Sequence, residues 1–138
     1  MSAMISDCLV LKIEETETTT GDIDNTIYVL YDTAERVYII RGVRSATYKT
    51  VFDTYSFRCH STKVLVDFLS LTIDGDNLVS YALYNCNDLP YSSDEITSEL
   101  LDESCAKSAE VVGYDNMKLE RKTLRKYVDI VGSMFNPY

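Results

Sequence analysis

The stretch "SFRCHSTKVLVDFLSLTIDGD", residues 56–76, holds the only histidine of the chain, His60, directly after Cys59 and just ahead of a strongly apolar run. Read as a strand ending at Cys59, it sets Phe57 and Cys59 on one side and Ser56 and Arg58 on the other, because successive strand side chains alternate. Ser61 or Thr62 then caps a helix over about 62–73. At about 100° per residue, Val64, Leu65, Val66, Phe68, Leu69, Leu71 and Ile73 occupy most of its circumference. Only Lys63, Asp67 and Ser70 form a polar stripe, so this helix needs cover on more than one side.

Upstream, the chain reads as strands. "CLVLKIE" (8–14) and "TIYVLY" (26–31) are β-branched and aromatic runs separated by the polar loop "ETETTTGDIDN", with Gly21 and Asn25 as turn formers. "YVLYDTAERVYIIRG" (28–42) predicts a hairpin across "DTAE", with Gly42 ending its second arm. "TVFDTYSFRC" (50–59) is a fourth strand, with Val51, Tyr55, Phe57 and Cys59 on one face.

Downstream, "DGDN" (74–77) is a turn and "LVSYALYNC" (78–86) a fifth strand that ends before Pro90. Ser92 and Glu95 have the form of a capping box that opens a helix to about Val112, stopped by Gly113. Asp115 or Asn116 caps the last helix, "MKLERKTLRKYVDIVGSMF". The order β-β-β-β-α-β-α-α predicts an α+β fold: a two-layer sandwich with a mainly antiparallel sheet of about five strands, covered on one face by helices. The whole of 1–138 reads as one domain, with a C-terminal helical layer at about 93–135.

Charge segregates in that layer. Glu99, Asp102, Glu103 and Glu110 share one arc of the helix that follows Ser92, and Lys118, Arg121, Lys122 and Arg125 share one arc of the last helix. Five of the chain's 13 basic residues fall between 118 and 126. Such runs are usually solvated faces, and exposed ion pairs contribute only about 0–1 kcal/mol each. The alternative is pairing between subunits or with a partner. The broad apolar arc of the last helix, ending at Met134 and Phe135, adds a surface suited to self-association.

Composition narrows the chemistry. With a net charge of -9, the chain repels nucleic acid and anionic lipid, which are themselves negative. No apolar stretch approaches the ~18–20 residues of a membrane span, and the first residues lack the pattern of a signal peptide. A soluble, intracellular protein is expected. Four cysteines at 8, 59, 86 and 105 are spaced too irregularly for zinc-ligand pairs or a disulfide framework and read as reduced thiols.

Catalysis would need a base beside Cys59, and His60 is the one imidazole. In an extended segment the two side chains diverge, so no catalytic residue is assigned. "DGDN" lacks the twelve-residue calcium loop, and "RGVRSATYK" (41–49) lacks phosphate-loop spacing. No cofactor or metal is expected.

The run "YSFRCHSTKVLVDFLSL…LVSYALYNCNDLPYSSDEITSELL", about residues 55–101, resembles small uncharacterised proteins of nucleocytoplasmic large DNA viruses. That resemblance implies a host-cytoplasm or virion setting and no activity. The expected function is a non-enzymatic protein-interaction or assembly component that self-associates, or docks a protein partner, through its C-terminal helices. Its candidate contact residues are Glu99, Asp102, Glu103, Lys118, Arg121, Lys122, Arg125, Met134 and Phe135. The alternatives are an acidic decoy of a nucleic-acid-binding protein and a Cys59-dependent enzyme.

Overall fold

The computed structural model describes residues 4–5, 8–46, 49–90, 92–113 and 115–133. The strands are β1 (Met4–Ile5), β2 (Cys8–Thr16), β3 (Ile23–Asp32), β4 (Val37–Ala46), β5 (Lys49–Cys59), β6 (Leu78–Cys86), β7 (Leu89–Pro90), β8 (Ala109–Val112) and β9 (Met117–Lys118). The α-helices are α1 (Thr62–Thr72), α2 (Ser98–Ala106) and α3 (Arg121–Ser133), and a 3-10 turn occupies Ser93–Glu95.

Seven strands form one antiparallel sheet in the order β5-β4-β3-β2-β6, with β8 and β9 both paired to β6 at the far edge. A separate ribbon joins β1 to β7. The sheet is thus wider than the five strands expected. The α+β class and the antiparallel pairing hold, and so does the hairpin, which pairs Asp32 with Val37 across residues 33–36.

The helices lie on both faces of the sheet rather than one. Leu11, Ile13, Ile27, Val29, Ile40 and Leu83 pack with α1 and α3. The alternate residues Cys8, Val10, Tyr28, Leu30, Val37 and Ile39 pack with Ile96, Leu101 and Cys105 from the α2 side. The reason is the near-continuous apolar character of β2, β3 and β4. A strand that is apolar on both sides exposes a face to water unless both are covered.

The first face is closed by aromatic contacts. Phe68 of α1 stacks on Phe57 of β5 at 4.2 Å, and Tyr127 of α3 stacks on Tyr81 of β6 at 4.6 Å. Gly132 lets α3 approach the Tyr38 hydroxyl, which would sit 2.1 Å from any Cβ placed there. Ser61 caps α1 as expected, its hydroxyl accepting from the Val64 amide. The need of α1 for cover is met by the sheet and α3 alone, since α2 lies on the opposite face, and Leu71 is left 89% exposed.

On the second face, Arg41 holds the 3-10 turn. Its Nε and Nη2 donate to the carbonyls of Ile96 and Ser93 at 2.9 and 3.1 Å. The basic stretch 41–49 therefore contributes a structural clamp here. Burial lowers the pKa of that guanidinium.

Three boundaries differ from the expected ones. The long helix after Ser92 is split: Thr97 caps a shorter α2, accepting from Leu100 N, and residues 109–112 become β8. Met117 and Lys118 leave the last helix for β9. Both changes give the edge of β6 backbone partners, which a strand requires more than a helix requires extra turns. Gly42 does not end β4, which continues to Ala46. The Tyr55 ring lies over Gly42, so a Cβ there would meet its Cζ at 2.0 Å.

Gly42→Ala should therefore lower the free energy of unfolding by about 1–3 kcal/mol, the usual range for overpacking. Urea titration measures it. An unchanged midpoint would mean that the Tyr55 ring moves aside freely.

Candidate functional site

Cys59 and His60 are brought to different environments. Cys59 is buried on the α1 face, with its sulfur 3.6 Å from the Ser61 carbonyl. Burial raises the pKa of its thiol. His60 is exposed, its Nδ1 3.3 Å from the Arg36 carbonyl. It lines a cleft of about 600 Å³ with Tyr31, Thr33, Arg36, Tyr38, Thr62 and Gly132, a lining that omits Cys59. The arrangement has no activated thiolate and no base directed at it.

The charged candidates are divided by the sheet. Glu99, Asp102 and Glu103 lie exposed on α2, on one face, while Arg121, Lys122 and Arg125 lie exposed on α3, on the other. Glu110, expected on the acidic helix arc, is in β8, and Lys118 is in β9. Met134 and Phe135 fall outside the described residues.

Several of these charges already have partners. Asp102 accepts from the Tyr28 hydroxyl at 2.7 Å and stands 3.8 Å from Lys12. Arg121 pairs with Asp67 of α1, and Arg125 with Asp129 one turn along at 3.5 Å. The Asp67 carboxyl is held below its ordinary pKa by the donors Arg121 and Lys63. Among the described residues, Glu99, Lys118 and Lys122 have no ion pair.

A buried polar network was not foreseen. Glu15, only 1% exposed, accepts from Asn25 Nδ2 at 3.3 Å, Asn77 Nδ2 at 2.7 Å and the Asp74 amide at 3.0 Å. The Tyr55 hydroxyl donates to Asn25 Oδ1 at 2.8 Å, carrying the chain of bonds to β5. The alternation of β2 points to it: Glu15 follows Leu11 and Ile13 on the same, inward side. Its partners belong to the end of the sheet beside the 74–77 turn, so it fastens that end.

The sheet is open at β5 on one side and, on the other, at the edge formed by β8 and β9. Both pair with β6 on one side, and among the described residues no strand pairs with the other. Val111 is 55% and Met117 43% exposed along it. Glu110 precedes the one and Lys118 follows the other.

Among the described residues, no cluster of three or more His, Cys, Asp or Glu could hold a metal ion, and no helix is long and apolar enough to cross a membrane. No family model matches the chain, and no curated protein or solved structure matches it either.

Glu15→Leu should cost on the order of 3 kcal/mol, because it strands buried amide donors, whereas Glu15→Gln should cost less by keeping an acceptor oxygen. Chemical denaturation of both variants measures the difference; equal costs would contradict the network. Native Cys59 should also react with an alkylating probe far more slowly than the unfolded chain does, as read by mass spectrometry of its peptide. Equal rates would return Cys59 to consideration as a nucleophile.

Proposed function

We propose that the protein is a non-enzymatic assembly component whose partner is a second copy of itself, joined through the β8–β9 edge. The carrying observation is that the edge is self-complementary. An unpaired strand edge presents rows of N–H and C=O groups that a further strand can satisfy. In an antiparallel pairing about a two-fold axis midway between positions 110 and 118, Glu110 of one copy stands opposite Lys118 of the other, and Val111 stands opposite Met117. One symmetric contact thus closes two opposite-charge pairs and covers four apolar side chains.

Soluble sheets usually defend an open edge with charge directed against pairing. Here the charges at the two ends have opposite sign, which favours this register over its neighbours, since a slip of one residue sends facing side chains to opposite faces. The interaction surface therefore differs from the helix-to-helix contact expected from the charged arcs. The basic side of α3 carries Arg121, which pairs with Asp67 of α1, and Lys122, which has no ion pair among the described residues, and it does not form the edge. The resemblance of residues 55–101 to proteins of nucleocytoplasmic large DNA viruses makes a virion or an infected cytoplasm the setting we infer.

Light scattering after size-exclusion chromatography tests the reading. The wild type should elute at twice the chain mass at high concentration. Glu110→Lys should shift it to the monomer by facing Lys118 with a like charge, and the double variant Glu110→Lys with Lys118→Glu should restore the dimer. A wild type that stays monomeric, or a double variant no better than the single one, would overturn it.

A further inference from the structure

In a chain of net charge -9, the cleft of about 600 Å³ that His60 lines carries no carboxylate. Its charged or chargeable side chains are Arg36 and His60, and hydroxyls come from Tyr31, Thr33, Tyr38 and Thr62. Three other clefts of the described residues each contain acidic groups: Asp94 and Glu99 in one, Glu14, Glu99 and Asp102 in the next, and Asp88 in the third. The hairpin-end cleft is thus set apart by its chemistry, and the assembly reading uses none of its residues.

Arg36 closes the hairpin turn in the left-handed conformation, at φ 58°, which the backbone ordinarily leaves to Gly or Asn. The turn itself therefore has no need of an arginine at this position. Among the described residues its guanidinium has no ion pair. The carboxylates flanking the cleft residues in sequence are taken: Asp32 accepts from the amides of Ala34 and Glu35, Glu35 pairs with Arg58, and Asp129 pairs with Arg125. His60 donates from Nδ1 to the Arg36 carbonyl at 3.3 Å, which ties the imidazole to the same turn. The Tyr38 and Thr62 hydroxyls share one hydrogen bond at 3.0 Å, so one of their two protons remains for a ligand. The first turn of α1, which begins at Thr62, has no acidic residue to oppose the positive end of that helix. Gly132 keeps the α3 wall of the cleft down to backbone, and the Tyr31 ring meets Tyr38 edge-on at 5.0 Å.

We propose that this cleft binds a small phosphomonoester, with its phosphate held by Arg36, His60 and the hydroxyls and its organic group against the Tyr31 ring. A carboxylate has two coplanar oxygens, which a single guanidinium fork satisfies. A phosphate has three terminal oxygens that point in different directions and accept from several donors at once. The donors here come from three separate places, the hairpin turn, the segment after β5 and the start of α1, which suits the tetrahedral anion. The volume leaves room for the esterified group as well. The cleft shares no residue with the β8–β9 edge, so binding does not depend on dimerisation.

The test is a titration of the folded protein with phenyl phosphate, followed by amide chemical shifts, with acetate at matched ionic strength as the control. Saturable shifts should cluster at residues 31–38, 60–62 and 132 with phenyl phosphate and be absent with acetate. Arg36→Gly suits the left-handed backbone and should weaken binding roughly tenfold or more, the usual worth of a charged hydrogen-bond donor. His60→Ala, a change at an exposed side chain, should also weaken it, and Lys122→Ala, a cation at the far end of α3, should leave it unchanged. The proposal is overturned by the lack of saturable shifts with phenyl phosphate or by equal binding of acetate. Wild-type affinity in both Arg36→Gly and His60→Ala, or a loss in Lys122→Ala as large as that in Arg36→Gly, would overturn it too.

Discussion

The rest of the structure depends on the apolar character of β2, β3 and β4 on both of their sides. Val10 and Leu11, Tyr28 and Val29, and Ile39 and Ile40 are neighbours in sequence, and all are buried, so each strand sends one of the pair to each face. At roughly 25 cal/mol for each Å² of apolar surface, leaving either face in water would outweigh any single polar contact in the chain. Two covers are therefore obligatory. The first is α1 with α3, and the second is α2 with the 3-10 turn and the β1–β7 ribbon.

That division explains how the termini of the sheet are finished. At the end beside the 74–77 turn, a buried carboxylate collects three amide donors, one from β3 and two from the turn. On the second face, Arg41 gathers the carbonyls of Ser93 in the 3-10 turn and Ile96 just after it. These polar fastenings are satisfied on both sides, which is the condition under which buried polar groups add definition without a desolvation penalty. The sheet keeps an unpaired row of backbone groups at each end, on β5 and on the β8–β9 edge, among the described residues.

Much of the scaffold was legible in the chain itself. The hairpin, the strand ending at Cys59 and the Ser61 cap follow from alternation and turn chemistry, which are local properties. The second helical cover was also written locally, in consecutive apolar pairs such as Ile39 and Ile40, but helix patterning in the last third drew the reading toward one face. Helix periodicity also fits the segments 109–112 and 117–118; the open side of β6, which is a tertiary fact, decides for strand. For the same reason Glu110 and Lys118 were assigned to two different helices, and their shared edge could not be seen. The meeting of Arg36, His60 and Thr62 at one cleft depends on β4–β5 register and on the placement of α1, neither of which leaves a spacing motif.

The central claim is that the exposed β8–β9 backbone finds its partners in a second copy. Amide hydrogen exchange resolved to residues 109–118, followed across a dilution series, examines those groups themselves. The account predicts that protection in this segment rises with protein concentration while that of β2 and β3 stays constant. Protection at 109–118 that is low and independent of concentration would contradict it.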